Sequence, residues 1–136
     1  MLHWSGACCG VGGMSRERIE FGKTGEDLAC LELARRGYAI VARRHRNGLG
    51  EIDIIARDGA TLVFVEVKAR DGLAYGAGGE AVTWRKRRRL IRLAADYLAR
   101  QNLTACACRF DVVAIDFGGG SPAVEVIQNA FGTDGW

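Results

Sequence analysis

The stretch that most constrains this chain is Gly50 to Arg70, GEIDIIARDGATLVFVEVKAR, which sets Glu51, Asp53, Glu66 and Lys68 inside two runs of strand-forming residues. Asp-Gly between two such runs is a strong hairpin signal. Successive strand side chains point to opposite faces. Leu62, Phe64, Glu66 and Lys68 therefore share one face of the second strand, and Val63, Val65, Val67 and Ala69 the other. With Asp58-Gly59 as a two-residue turn, Arg57 opposes Ala60, Asp53 opposes Phe64 and Glu51 opposes Glu66. Asp53 and Glu66 become diagonal neighbours on one face, about 7 Å apart at Cβ. A slip of one residue would send Asp53 to the opposite face. Burying an unpaired charge is expensive, so this acid-bearing face requires a counter-charge or a metal ion.

The flanking segments read as a mixed α/β (α+β) domain. A helix capped by Ser15 or Thr24 runs to about Arg36 and stops at Gly37. Its Glu26, Ala29, Cys30 and Leu33 fall in one i, i+3/i+4 row facing the core. Tyr38 to Arg44 follows as a strand. Beyond the hairpin and a glycine-rich loop, Gly72 to Gly79, a second helix runs from about Ala81 to Gln101. Its inward row is Lys86, Leu90, Leu93 or Ala94, and Tyr97. Arg109 to Asp116 and AVEVIQ, around a GGGSP turn, supply two more strands. The order is αβββα followed by ββ, a mixed central sheet flanked by helices. Residues 1–14 read as a Gly/Cys-rich leader and 15–136 as one domain, with Met14 as a point where the folded domain, or translation, could begin. The leader has neither the basic nor the apolar region of a signal peptide, and no apolar run approaches a membrane span. A cytoplasmic location and no membrane association are expected.

The net charge is only +3, but its distribution is uneven. Trp84 to Arg92, WRKRRRLIR, is basic at six of nine positions. Arg43, Arg44, His45 and Arg46 form a second cluster. Like charges crowded at i, i+3 and i+4 repel, and a polyanion relieves them; the alternative is a solvated helix face. The five cysteines, Cys8, Cys9, Cys30, Cys106 and Cys108, form no disulfide framework. A vicinal pair with a Cys-x-Cys departs from the usual zinc spacing, so free thiols are expected in preference to zinc.

Two converging carboxylates with a lysine two residues after the second suit a divalent ion and phosphate chemistry. Mg²⁺ takes oxygen ligands, one or two carboxylates completed by water and phosphate. Asp53 and Glu66 would hold Mg²⁺ or Mn²⁺, with the Val67 carbonyl as a further ligand and Glu26 as an outer ligand or the holder of a second metal. Lys68 would orient or help deprotonate the attacking water and neutralise the transition state. The bland alternative is a cross-strand ion pair at a solvated edge. Arg85, Lys86, Arg88, Arg89 and Arg92, with Arg43, Arg46 and Arg70, form the basic set expected to bind nucleic acid.

The succession GKTGEDLACLELARRGYAIVARR, GEIDIIARDG, LVFVEVKAR, EAVTWRKRRRLIRLAADYL, RFDVVAI and QNAF resembles the bacterial YraN-like family of uncharacterised proteins, over about Phe21 to Phe131. That family is placed by similarity in the restriction-endonuclease-like PD-(D/E)XK nuclease superfamily. The resemblance implies an αβββαβ core and Mg²⁺-dependent phosphodiester hydrolysis, much like Holliday-junction resolvases. It assigns the helix-1 acid to Glu26, the hairpin aspartate to Asp53, and the acid and lysine of the E-x-K motif to Glu66 and Lys68. Lys86 matches a basic residue of the following helix, a phosphate contact. Tyr97 matches a functional tyrosine of some exonucleases, with packing as its alternative role. Arg43-Arg44-His45-Arg46 departs from the family's Arg-Asn-x-Arg, outside the metal set. The expected function is a metal-dependent nuclease on DNA, branched or structured, since no helix looks built to read bases. The competing expectation is a non-enzymatic nucleic-acid-binding or adaptor protein. Resolvase-like enzymes often act as dimers, so a homodimer is a further expectation.

Overall fold

Glycine, not aspartate, leads the hairpin turn. In the computed structural model, which describes residues 21–70 and 83–132, β2 (Gly50–Asp58) and β3 (Thr61–Arg70) pair with Asp58 opposite Thr61, Arg57 opposite Leu62 and Ile55 opposite Phe64. The turn residues are Gly59 and Ala60, with Gly59 at φ +66°. A primed turn needs a positive φ at its first central position, and Gly59 supplies it. The register anticipated from an Asp58-Gly59 turn is therefore displaced by two residues. Ile55, not Asp53, faces Phe64, and Glu51 does not face Glu66: it accepts a hydrogen bond from Arg46 instead. An even displacement keeps the faces, and Asp53 still comes near Glu66, whose charge it feels.

The five strands lie in the order β1-β2-β3-β4-β5. β1 (Ala39–Asn47), β2 and β3 run antiparallel, β3 and β4 (Cys108–Asp116) parallel, and β5 (Ala123–Phe131) returns antiparallel to β4. The β3–β4 crossover carries α2 (Trp84–Arg100), and α1 (Phe21–Arg35) precedes the sheet. Alternation along β3 separates two cores. Leu62 and Phe64 pack with Leu90, Leu93, Ala94 and Tyr97 of α2. Val63 and Val65 pack with Ala29, Cys30 and Leu33 of α1. The helices thus cover opposite faces of a mixed sheet, consistent with a restriction-endonuclease-like α/β fold.

Both helices end in the same way. After α1, Tyr38 N–H reaches Leu33 C=O and Gly37 N–H reaches Ala34 C=O, with Gly37 at φ +98°. After α2, Leu103 N–H reaches Leu98 C=O and Asn102 N–H reaches Ala99 C=O, with Asn102 at φ +61°. Both are Schellman closures, the second using asparagine where glycine is usual. α2 begins at Trp84, because the Thr83 hydroxyl accepts from Lys86 N–H and caps it there. Ala81, the expected start, lies outside the described residues, and Thr24 lies inside α1 rather than capping it. Ser15, the leader and Gly72 to Gly79 lie outside the described residues. Among the described residues, no helix is long and apolar enough to cross a membrane.

Candidate active site

The sheet is irregular where the acids meet. Ile52 and Ile54 are two apart yet pack into opposite cores, so β2 turns over at Asp53. At the same level of β1, Arg44 takes φ +51°, a region uncommon outside glycine and a mark of local strain. The paired ladder of β2 and β3 ends at Ile54–Val65. Beyond it, the Asp53 carboxylate itself accepts the N–H of Val67 at 2.8 Å. A side chain thus takes a backbone donor of the strand that carries Glu66 and Lys68.

Glu66 is buried among the apolar residues of β3, and its Oε2 lies 2.7 Å from Nζ of Lys86 on the first turns of α2. Lys68 follows on the same face, half-buried, and makes no ion pair among the described residues. Glu26 comes from the start of α1, next to Gly25, which lies close against the sheet: a Cβ there would lie 3.4 Å from Ala69 Cβ on β3. Glu26 accepts from Arg44 Nε at 2.9 Å and lies 3.5 Å from Arg43 Nη2. It is committed to arginine, although its charge is still felt at Asp53.

The electrostatic consequence falls on Asp53. Burial, reinforced first by Glu66 and then by Glu26, pushes its carboxyl up to about 7, against the opposing pull of Val67 N–H and Lys86. A second aspartate in an apolar strand behaves differently. Asp111 on β4 is fully buried, and accepts from Tyr38 Oη, from Arg109 Nε and Nη2, and from the N–H of Asn129. Arg109 also binds Asp58 at the hairpin turn, and Gln128 donates to Tyr38. Asp111 thus has a guanidinium built against it, and among the described residues Asp53 has none. The sequence carried the same signal for both, an acid flanked by apolar strand residues, but the role of Asp111 was missed because its partners are 2, 18 and 73 positions away.

The basic residues divide into two groups. Arg43 bonds Asp27, Arg46 bonds Glu51, and Lys86 bonds Glu66. Arg70 ends β3 with a buried Nε that has no hydrogen-bond partner among the described residues. By contrast Arg85, Arg88, Arg89 and Arg92 are exposed along one flank of α2. With Trp84 and Leu49 they line an open depression of about 400 Å³. Gly50, at φ +148°, brings the β1–β2 turn against α2, where a Cβ would lie 3.2 Å from Arg89 Cδ. Tyr97 is buried and packs edge-on against Phe64 and His45, which accounts for it as a core residue. Among the described residues Cys30, Cys106 and Cys108 form no disulfide, while Cys8 and Cys9 lie outside the described residues. Among the described residues no group of three or more His, Cys, Asp or Glu side chains is placed to hold a metal ion. The acidic site itself is a pair, Asp53 and Glu66.

The model of an uncharacterised protein family, UPF0102, matches residues 25–115, a span that includes Glu26, the whole hairpin, α2 and most of β4. A UPF0102 protein of Symbiobacterium thermophilum is 53% identical over 111 residues, covering 81% of this chain and 94% of its own. One from Geobacter metallireducens is 49% identical over 119 residues, 87% of this chain and 97% of its own. Another from Anaeromyxobacter dehalogenans is 44% identical over 126 residues, 93% of this chain and 94% of its own.

Proposed function

The chain belongs to the uncharacterised family UPF0102, and on that footing we propose that it is a metal-dependent nuclease hydrolysing DNA phosphodiester bonds at Asp53, Glu66 and Lys68. One observation carries this reading: of two aspartates set in apolar strands, Asp111 is matched by Arg109, while Asp53 is left with a carboxyl raised to about 7. An acid kept short of positive charge beside a second buried acid is the expected environment of a functional carboxylate.

The donor set fits a hard divalent ion. Asp53 and Glu66 offer carboxylate oxygens, and Mg²⁺ or Mn²⁺ typically takes one or two such ligands and fills the rest with water, carbonyl and phosphate oxygen. Bound there, the ion would supply an activated water and stabilise the charge developing on the phosphate. Lys86 holds Glu66 as a counter-charge meanwhile. Lys68 lies on the same face of β3, two residues beyond Glu66, where its ammonium can orient the water and meet the charge of the transition state. Glu26, held by Arg44, adds negative potential without being freed as a direct ligand. Arg85, Arg88, Arg89 and Arg92 stand one helix face away as phosphate contacts.

A second reading is a binding or adaptor protein with the same fold. It is favoured by the Lys86–Glu66 pair, which already neutralises one acid. The deciding experiment is a cleavage panel in Mg²⁺ and Mn²⁺ on linear duplex, single-stranded, flap and four-way-junction DNA, with Asp53→Asn and Lys68→Ala proteins alongside. The nuclease reading requires cleavage by the parent that both variants lose while DNA binding persists. Binding without cleavage of any substrate supports the adaptor.

A further inference from the structure

Five successive basic residues opening a helix run against local electrostatics. The N-terminus of a helix is its positive end and prefers acids. α2 has no acid in its first turn, and instead carries Arg85, Lys86, Arg87, Arg88 and Arg89 in succession. Lys86 among them pairs with Glu66 of the acidic site. A helix start assembled against its own dipole is an anion site, because an arriving polyanion is attracted by dipole and side chains together.

Phosphate contacts do not account for what else stands there. Trp84 is 59% exposed, the most exposed large hydrophobic residue described, and Leu49 across the depression is 48% exposed. The guanidinium of Arg88 lies 4.8 Å from the centre of the Trp84 ring. The flat Trp84 and Arg88 groups and the apolar Leu49 thus line the same depression as the cationic Arg85, Arg89 and Arg92. Duplex backbone offers nothing for an indole to cover. Unpaired bases do: aromatic rings and guanidinium planes stack on them, and sites for single strands combine such platforms with a positively charged groove. The depression of about 400 Å³ is open and of the order of a small-ligand site, as a base entering from a strand requires.

We infer that Trp84 and Arg88 form a stacking platform for an unpaired base, so that the α2 flank binds a single-stranded polynucleotide beside the acidic site. The inference deepens the reading of this flank as a phosphate-binding surface and does not depend on catalysis.

The test is equilibrium binding of the full chain in EDTA, so that cleavage plays no part. The probes are a 12-nucleotide oligo(dT), oligo(rU) of equal length, an abasic deoxyribose-phosphate strand of equal length and a blunt 12-base-pair duplex. Trp84→Ala should weaken binding of the base-bearing strands by about 5- to 150-fold, the range of a lost base–aromatic stack. Its effect on the abasic strand and on the duplex should stay within about twofold, and Trp84→Phe should restore most of the loss. Whichever of oligo(dT) and oligo(rU) binds tighter identifies the sugar preferred. Arg89→Ala should weaken all four probes and flatten the salt dependence, and a melting curve confirms that each variant is folded. Equal losses on all probes for Trp84→Ala, no loss on any, or no binding of single strands by the parent would overturn the inference. If the parent binds as expected but cuts nothing in Mg²⁺ or Mn²⁺, the nuclease reading fails and the platform stands.

Discussion

The carboxylate of Asp53 accepts the backbone N–H of Val67 at 2.8 Å, so the acid of β2 is fastened to the strand segment between Glu66 and Lys68. This bond sets the geometry of the site. It lies where the regular pairing of β2 and β3 stops, after Ile54–Val65, and holds Asp53 close enough to Glu66 to feel its charge. The strand distortion around Asp53, with Arg44 at φ +51° across β1, is the local cost of that placement.

Asp53 should make the folded protein less stable as the solution becomes more basic. Its carboxyl moves from 3.8 in the unfolded chain to about 7 in the folded one. Between those values the folded state holds a proton that the unfolded state releases. Stability therefore falls as pH rises from about 4 to about 7, with the full penalty above it. Asp53→Asn keeps an oxygen for Val67 N–H and removes the titration. The variant should be more stable than the parent at pH 8, by on the order of 2–4 kcal/mol, and show no gain at pH 4. Denaturant titrations at the two pH values check this, and a difference that does not change with pH would refute it.

Lys86 stands where a cation is wanted. Its Nζ lies 2.7 Å from Glu66 Oε2, with the Glu66 side chain 7% exposed and that of Lys86 43% exposed. Lys86→Met should destabilise the protein at pH 8 by about 1–3 kcal/mol, below the usual cost of breaking a fully buried pair because the lysine is partly solvated. Millimolar Mn²⁺ should then raise the melting temperature of the variant more than that of the parent, since the ion stabilises the state that binds it. Equal shifts in the two proteins would mean that Lys86 and the ion do not share a place.

The polar cluster around Asp111 should be structural. Asp111 is fully buried and accepts from Tyr38, Arg109 and the N–H of Asn129. Removing one partner of such a network leaves the others buried and unpaired, which costs about 3–5 kcal/mol. Asp111→Ala should lower the melting temperature by at least about 10 °C. Tyr38→Phe, losing one hydroxyl that bonds Asp111, Arg109 and Gln128, should cost about 1–2 kcal/mol. Neither change should alter the ratio of single-strand to duplex binding, which belongs to the opposite face of the sheet.

Much of this was legible before any coordinates. The period-2 pattern of LVFVEVKAR set Glu66 with Leu62 and Phe64 on one face and the valines on the other, faces that the structure gives to α2 and α1, and the i, i+4 row of α2 set Leu90, Ala94 and Tyr97 inward. The hairpin itself was clear, but its register was not, because Asp58-Gly59-Ala60 allows glycine at either central position of the turn. Partner choice was the other gap. Lys68 is nearer Glu66 in sequence, yet Lys86 on α2 makes the pair. Arg44 reaches Glu26 only because the strand bends at a positive φ. Such contacts depend on how helices dock on the sheet, which periodicity does not encode.

Gly25 fixes one of those dockings. Its place on α1 leaves 3.4 Å from a would-be Cβ to Ala69 Cβ, 3.7 Å to Ile115 Cδ1 and 3.9 Å to Val67 Cγ1, all on β3 and β4. A single methyl fits at ordinary contact distance, and alanine is favoured over glycine in a helix by about 1 kcal/mol. Gly25→Ala should therefore be neutral or slightly stabilising. Gly25→Leu cannot be seated without lifting this end of α1 from the sheet, and overpacking of that kind costs about 1–3 kcal/mol. The lifted helix would also draw Glu26 away from Arg44 and Asp53. Since Glu26 helps to raise the Asp53 carboxyl, Gly25→Leu should lower the pH at which Asp53 titrates as well as the melting temperature. NMR titration of the aspartate carboxyl in the three proteins measures the first and thermal melts the second. A leucine variant as stable as the alanine one, with Asp53 unmoved, would show that α1 is not held against β3 at this residue.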